Sequence, residues 1–180
     1  YGDVPLVSLK TLKSLIRVTT PKSIGVLTFQ TENPKGYGRI IRGDDKNIAA
    51  IVEEKDASLA ERAITEVNSG IISVQSSMLG PLLDKIKNKN AAKEYYLTDI
   101  VSVATKEGIS AIPLKLDNTN ELLGANTPLE LHNLERIYQE SQANKLIKGG
   151  VNVADASRID IRGGLIAGKG SFIAVSYTHL

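Results

Sequence analysis

The sequence predicts an α/β domain that runs into a long helix and then into glycine-rich sequence of a different texture. Short apolar runs with strand-like content alternate with stretches of helical periodicity from Ser8 to Leu116. Thr127-Pro-Leu-Glu130 is a capping box with proline at the first helical position, and it opens the longest periodic stretch. After Gly149-Gly150 the helical period disappears.

The elements follow in order. Leu9, Leu12, Leu15 and Ile16 recur at helical spacing, which predicts a helix from Ser8 to about Val18 that Pro21 closes. Ile24-Gly-Val-Leu-Thr-Phe-Gln30 reads as a buried strand. Asn33 to Gly38 is a Pro/Gly turn, Arg39 to Arg42 a short strand, and Asn47 to Glu53 another after the Gly43-Asp-Asp45 turn. Ser58-Leu-Ala-Glu61 is a capping box, so a short helix follows. Val67 to Val74 is a strand. Met78 to Ile86 is helical, with Pro81 expected in its first turn. Thr98 to Lys106 is a helix with Thr98 or Asp99 near its start. Ile109 to Leu116 is a strand, and Pro113 argues for an edge or a bulge. The last helix reaches about Lys148, with Leu131, Leu134, Ile137 and Tyr138 on one apolar face. Beyond it Ile159, Leu165 with Ile166, and Phe172 fall about six residues apart, the spacing of a hexapeptide parallel β-helix or of a loop-rich tail.

Composition narrows the chemistry. At 180 residues, 42% hydrophobic and 23% charged, the chain has the make-up of a globular protein with a real core. A net charge of +2 offers no basic field for nucleic acid. With no Cys there are no disulfides, thiolate metal sites or Cys nucleophiles, which suits a cytoplasmic setting. Two His, at 132 and 179, leave little for zinc or Ser-His chemistry. No apolar run approaches the roughly 18 residues of a membrane span, and no signal peptide is visible. Chemistry here must rest on carboxylates, amides and backbone.

Four places could carry it. Tyr1-Gly-Asp-Val-Pro-Leu6 is what a chain looks like on leaving a buried strand, so Asp3 is either a ligand-facing carboxylate or part of an ordinary turn. In Asn33-Pro-Lys-Gly-Tyr-Gly-Arg39 two glycines flank Tyr37 and permit close backbone approach to a ligand; a hairpin turn reads equally well, and no dinucleotide-binding helix starts there. Glu53 and Asn68 close two strands, where a carboxylate and an amide can bind the hydroxyls of a sugar, unless Glu53 merely belongs to a solvated Glu-Glu-Lys-Asp run. Glu94-Tyr-Tyr-Leu-Thr-Asp99 either frames a polar ligand or packs and caps a helix.

Taken together, Tyr-Gly-Asp-Val-Pro-Leu, Asn-Pro-Lys-Gly-Tyr-Gly-Arg-Ile, Ile-Val-Glu-Glu-Lys-Asp-Ala, Glu-Val-Asn-Ser-Gly-Ile, Glu-Tyr-Tyr-Leu-Thr-Asp-Ile and Gly-Ala-Asn-Thr-Pro-Leu-Glu-Leu occur in this order. Over residues 1–175 the chain resembles the bacterial bifunctional N-acetylglucosamine-1-phosphate uridyltransferase/glucosamine-1-phosphate acetyltransferases. The resemblance implies a partial Rossmann-like nucleotidyltransferase domain with a mixed sheet at residues 1–127 and a linker helix at 128–148. It implies the start of a left-handed parallel β-helix, the acetyltransferase domain, at 149–175. Residues 176–180 break the pattern and are expected to be non-native.

The resemblance also implies roles. Asp3 and Asn126 match magnesium ligands, Asn126 also facing substrate. Gly38, Glu53 and Asn68 match positions that hold N-acetylglucosamine, and Tyr96 and Thr98 further sugar-pocket positions. In the implied reaction the sugar-1-phosphate oxygen attacks the α-phosphorus of UTP, pyrophosphate leaves and UDP-N-acetylglucosamine forms, a precursor for peptidoglycan and lipopolysaccharide. The second implied activity acetylates glucosamine-1-phosphate with acetyl-CoA, in a cytoplasmic homotrimer that uses neither nucleic acid nor membrane. The catalytic Arg and Lys of the phosphate loop are expected upstream of Tyr1 and the acetyltransferase residues beyond Val175. On that reading no catalytic residue is retained, the sheet edges are unpaired, the hexapeptide stretch is frayed, and residues 1–180 alone are inactive. A monofunctional sugar-1-phosphate nucleotidyltransferase and a non-catalytic sugar-phosphate-binding or assembly module are the alternatives.

Overall fold

The computed structural model describes residues 2–174; the expected non-native tail at 176–180 lies outside them. The described chain divides into two compact units, one of Val7–Leu122 and one of residues 2–6 with 123–174.

In the first unit, helix α1 (Leu9–Arg17) starts where Ser8 turns its hydroxyl to accept the Thr11 amide. Strands β1 (Ser23–Gln30), β2 (Arg39–Arg42) and β3 (Ile48–Val52) follow, then the short helix α2 (Leu59–Arg62) with both halves of its capping box formed. Strand β4 (Glu66–Ser73), helices α3 (Ser76–Leu83) and α4 (Asp99–Lys106), strand β5 (Ser110–Leu116) and a single 3-10 turn at Thr119–Leu122 complete it. The sheet is mixed, as expected of the class: β1 pairs parallel with β5 and antiparallel with β4, while β2 and β3 form an antiparallel hairpin.

Strand β1 is buried along almost its whole length because it feeds two cores. Ile24 and Val26 join Ile40, Ile48, Ile51, Leu82, Ile100, Val101, Ala104 and Ala111 on one side. Leu27 and Phe29 join Leu15, Val67 and Leu122 on the other. Gly25 lies where α1 presses closest, since a β-carbon there would stand 2.9 Å from Leu15 Cδ1 and 3.0 Å from the Leu15 carbonyl oxygen.

Two expectations are corrected in this unit, the place of Pro81 and the unpaired sheet edges. Pro81 lies inside α3, which begins five residues earlier at Ser76. Both Pro81 and Ser77, whose carbonyl loses its amide partner, are exposed, so water can replace the missing bond. Thr98 and Asp99 stand at the start of α4 as expected, and Thr98 makes no side-chain capping bond. The strand order β1-β4-β2-β3-β5 closes back on β1, contrary to the unpaired edges expected. Closure rests on the single pairs Arg39↔Val67 and Ile48↔Ala111. Pro113 faces Val26 across the parallel pair, two residues past the point where β3 pairs, so its missing amide breaks no ladder bond to β3.

In the second unit, helix α5 (Pro128–Lys148) begins with a complete capping box between Thr127 and Glu130. Its buried residues are Leu134, Gln139 and Ala143, whereas Leu131 and Tyr138 are 59% and 42% exposed. The expected apolar face is thus rotated, because a polar side chain organises the packing. The buried Gln139 amide accepts the Ile161 amide proton at 2.7 Å and donates to the Ile161 carbonyl at 3.3 Å, as a neighbouring strand would. Arg136 adds bonds to the Ser157 carbonyl and to Asp160, and Arg162 pairs with Glu135 at 3.0 Å. Strands β6 (Asn152–Val153) and β7 (Phe172–Ile173) form one parallel pair. Of the aliphatics spaced six apart, Ile159 is buried, while Leu165, Ile166 and Phe172 are exposed.

Candidate functional site

Five of the expected site residues gather in the unit Val7–Leu122, around the ends of β2, β3 and β4. Gly38 immediately precedes β2 and Glu53 immediately follows β3, so the hairpin register that pairs Arg39 with Val52 brings them side by side. They pack without slack. A β-carbon on Gly38 would stand 2.8 Å from Ile51 Cγ2 and 3.4 and 3.5 Å from the two Glu53 carboxylate oxygens. The Gly38 carbonyl accepts the Asn68 amide proton at 2.8 Å, which ties β4 to the same point. Asn68 is 7% exposed, and its own side-chain oxygen accepts the Gly70 amide at 3.1 Å.

Thr98 completes the group. Its hydroxyl donates to Glu53 Oε1 at 2.7 Å instead of capping α4. The Glu53 carbonyl accepts the amides of Asp56 and Ala57, both at 3.0 Å, which fixes the turn after β3. Asp56 in turn accepts the Ala91 amide at 2.7 Å. The segment from Ala91 to Thr98 is therefore stapled to residues 53–56 at two points, and Glu53 is no member of a solvated charge run.

The local field is negative. Burial, reinforced by the carboxylates of Asp56 and Glu53, holds the Asp99 carboxyl above its ordinary value. Burial and then the charges of Asp56, Glu94 and Glu53 raise the Tyr96 phenol. A group of this kind accepts hydrogen bonds from hydroxyl and N–H donors and repels phosphate.

The two glycines around Tyr37 serve different ends. Gly36 has φ +87, and nothing lies within 4 Å of the place a β-carbon would take, so it is required by its backbone conformation. Gly38 is required by space. The Tyr37 amide donates to the Pro34 carbonyl at 3.1 Å, which makes the loop a turn as well as a wall of the site. No helix starts there, as expected.

Asp3 and Asn126 come together in the other unit. Both line a cleft of about 440 Å³ with Gly2, Pro5, Ala125, Thr127, Pro128 and Leu131, and the Ala125 amide donates to the Asp3 carbonyl at 2.8 Å. The Asn126 amide and the Thr127 amide both donate to the Glu130 carboxylate, which anchors Asn126 to the start of α5. Among the described residues no group of three or more His, Cys, Asp or Glu side chains could hold a metal ion. A carboxylate and an amide oxygen on one cleft nonetheless form the sparse, hard donor set that suits magnesium, which keeps most of its waters.

Sequence reasoning missed Arg39, Glu54 and Asp56. Arg39 is 1% exposed, and it donates to the Tyr37 carbonyl and to Glu54 Oε2, the latter at 2.6 Å. The signal that could have found the pair is the β2–β3 register, which opposes two strand ends of opposite charge.

The comparisons with known proteins accord with the motifs. No family model matches the chain. The bifunctional protein GlmU of Nitrosospira multiformis is 48% identical over 177 residues, 98% of this chain and 38% of that protein. Those of Pseudomonas syringae pv. tomato and Idiomarina loihiensis are 42% and 45% identical over 98% and 94% of the chain. The chain is homologous to GlmU over nearly its whole length. It spans 38% of the length of the Nitrosospira GlmU and a similar share of the other two. The resemblance read from six ordered motifs is thereby borne out. Among solved structures, a Bacillus anthracis chain proposed to be a glucose-1-phosphate thymidylyltransferase, in complex with a sucrose, matches with a TM-score of 0.47 and 17% identity. That match covers 69% of this chain and 46% of the other. Among the described residues no helix is long and apolar enough to cross a membrane.

Proposed function

We propose that this chain supplies the sugar half of a sugar-1-phosphate uridyltransferase site, within a protein that makes UDP-N-acetylglucosamine from UTP and N-acetylglucosamine-1-phosphate. The observation that carries the reading is the Gly38–Glu53–Thr98 contact, with the Asn68 backbone amide bonded to the Gly38 carbonyl. A glycine that leaves a carboxylate bare, beside an amide and a hydroxyl, suits the vicinal hydroxyls and N–H of an N-acetylated sugar. Tyr96, whose phenol feels the charges of Asp56 and Glu53, adds an aromatic ring to the group.

The negative field orients the substrate. Carboxylates accept from the sugar and repel its phosphate, so the phosphate end points away from Glu53, Asp56 and Asp99. The same field is the wrong sign to hold a triphosphate, and in this reading the nucleotide phosphates are held elsewhere in a protein of GlmU length. Asp3 and Asn126 would hold magnesium; when bound, the ion offsets charge on the transferring phosphoryl group. The parallel β6–β7 pair, 20 residues apart in sequence, supports reading residues 149–174 as the start of a β-helix, the acetyl-CoA-dependent half of a homotrimeric cytoplasmic parent.

The test is formation of UDP-N-acetylglucosamine by the segment in its full-length GlmU context. Glu53→Gln is expected to raise KM for the sugar phosphate with KM for UTP little changed, and Asp3→Ala to depress turnover more than sugar-phosphate binding. Unchanged sugar-phosphate kinetics in Glu53→Gln would refute the sugar site. Unchanged turnover and magnesium dependence in Asp3→Ala would refute the metal assignment.

A further inference from the structure

We infer that Arg39 and Glu54 are the positioning residues of this site, a half-buried clamp that sets the distance between the Gly36–Gly38 turn and the Glu53 carboxylate. The inference rests on the sugar-site reading above. Arg39 is the largest fully buried side chain among the described residues, and a guanidinium keeps its charge even there. It joins two segments. One terminal nitrogen donates to the Tyr37 carbonyl between the two glycines, and the other donates to Glu54 Oε2 at 2.6 Å.

The same Glu54 oxygen accepts the Gly36 amide at 3.3 Å, so the turn is held from both its N–H and its C=O. The Glu54 carbonyl accepts from Arg62 at 3.2 Å, which fastens the clamp to α2. Glu54 follows Glu53 directly in the turn after β3, and the two carboxylates take different partners, Glu54 the Gly36 amide and Arg39, Glu53 the Thr98 hydroxyl. One carboxylate is thus consumed in holding the turn while its neighbour is left facing Gly38 and Thr98.

The guanidinium holds two groups at a fixed spacing because its donors form a rigid planar fork, which a flexible ammonium lacks. Its Nε is buried without a partner. A side chain present only to stabilise the core would more cheaply be apolar, since taking the Arg39 charge out of water carries a desolvation cost that hydrocarbon of the same volume avoids. The arrangement is understandable if what the pair secures is geometry. Both residues bond to the turn at Gly36 and Tyr37, so they act through the turn that sets Gly38 against Glu53.

The test uses the segment in its full-length GlmU context, with UTP and N-acetylglucosamine-1-phosphate as probes and thermal melting to confirm folding. Glu54→Gln keeps an oxygen acceptor but loses the charge. It is expected to raise KM for the sugar phosphate about tenfold, with KM for UTP and kcat changed less than about twofold, because misplaced contacts lose binding steeply. Arg39→Lys keeps the charge but not the fork and is expected to show the same split. Should either variant fail to fold, the other decides. Glu53→Gln is the control: if it leaves sugar-phosphate kinetics unchanged, the sugar-site reading fails and the inference falls with it. If Glu53→Gln raises that KM while folded Glu54→Gln and Arg39→Lys do not, the sugar site stands and the clamp is refuted. Equal losses for both substrates would refute it too, since a purely structural role does not select one substrate.

Discussion

Gly38→Ala separates a crowded glycine from a conformational one. The new β-carbon would meet Ile51 Cγ2 at 2.8 Å, and ordinary van der Waals contact begins near 3.4 Å, so roughly 0.6 Å must be found. Ile51 cannot easily supply it. Its Cγ2 sits one bond from the stiff β-branched centre, the residue is 5% exposed, and it faces Ile40 across the β2–β3 hairpin. The hairpin end must open, at the cost of about 1–3 kcal/mol typical of overpacking. Because Glu53 immediately follows β3, opening the hairpin end carries its carboxylate along, and its 2.7 Å bond from Thr98 is distorted. The assay pairs thermal melting with titration of N-acetylglucosamine-1-phosphate. Melting should fall by several degrees, at about 2–4 °C per kcal/mol for a protein of this size, and affinity by about tenfold. Gly36→Ala is the comparison: its φ of +87 costs about 1–2 kcal/mol in a residue with a β-carbon, but nothing crowds the new methyl. It should melt early and bind the sugar phosphate far better than Gly38→Ala does. Equal affinities in the two variants would refute the steric argument, and a Gly38→Ala protein as stable as the parent would refute the packing on which it stands.

Asn68→Ala leaves a sugar donor or acceptor unpaired and should cost about 1–3 kcal/mol of sugar-phosphate binding by calorimetry; parent-like affinity would return Asn68 to a strand residue with no ligand. Gln139→Leu strips the Ile161 amide and carbonyl of their partner, a loss of about 1–3 kcal/mol in denaturant unfolding, and hydrogen exchange at Ile161 should rise; unchanged exchange would show that Gln139 does not hold the segment. Acid should destabilise the protein below the ordinary glutamate value of 4.5. Burial pushes Glu66 up, but hydrogen bonds from Arg42 and Thr28 outweigh it and leave the carboxyl low, and Arg39 lowers Glu54 directly. A carboxyl lowered by folding contributes fully above that value and loses its contribution as pH falls through its folded value. Melting should thus decline with falling pH below 4.5, and the decline should shrink in Glu66→Gln. A flat profile would contradict these bonds.

What was legible in the sequence was what neighbours in the chain decide. The Ser58 and Thr127 boxes fixed two helix starts because their bonds span three residues, and β1, β2 and β3 followed from apolar runs bounded by turn residues. Glu53 and Thr98 were legible as candidate sugar-site residues only through resemblance, since 45 residues separate them, spacing favoured a charge run at Glu53, and a helix cap was an open alternative at Thr98. The misses share one cause. Pro81 was placed by a local rule that its exposure relaxes, and the buried face of α5 by a hydrophobic period that Gln139 overrides with a backbone-like pair to Ile161. Arg39 and Glu54 lie 15 residues apart, and each alone reads as a surface charge. The burial of Arg39 becomes reasonable only once the hairpin register brings Glu54 beside it, because a buried charge is tolerated when its partner is already in place and is costly otherwise. Pattern reading assigns polar residues to solvent, so it fails first where a polar group has a partner distant in sequence. In this chain those positions, Glu53 with Thr98 and Arg39 with Glu54, are the ones that shape the candidate site.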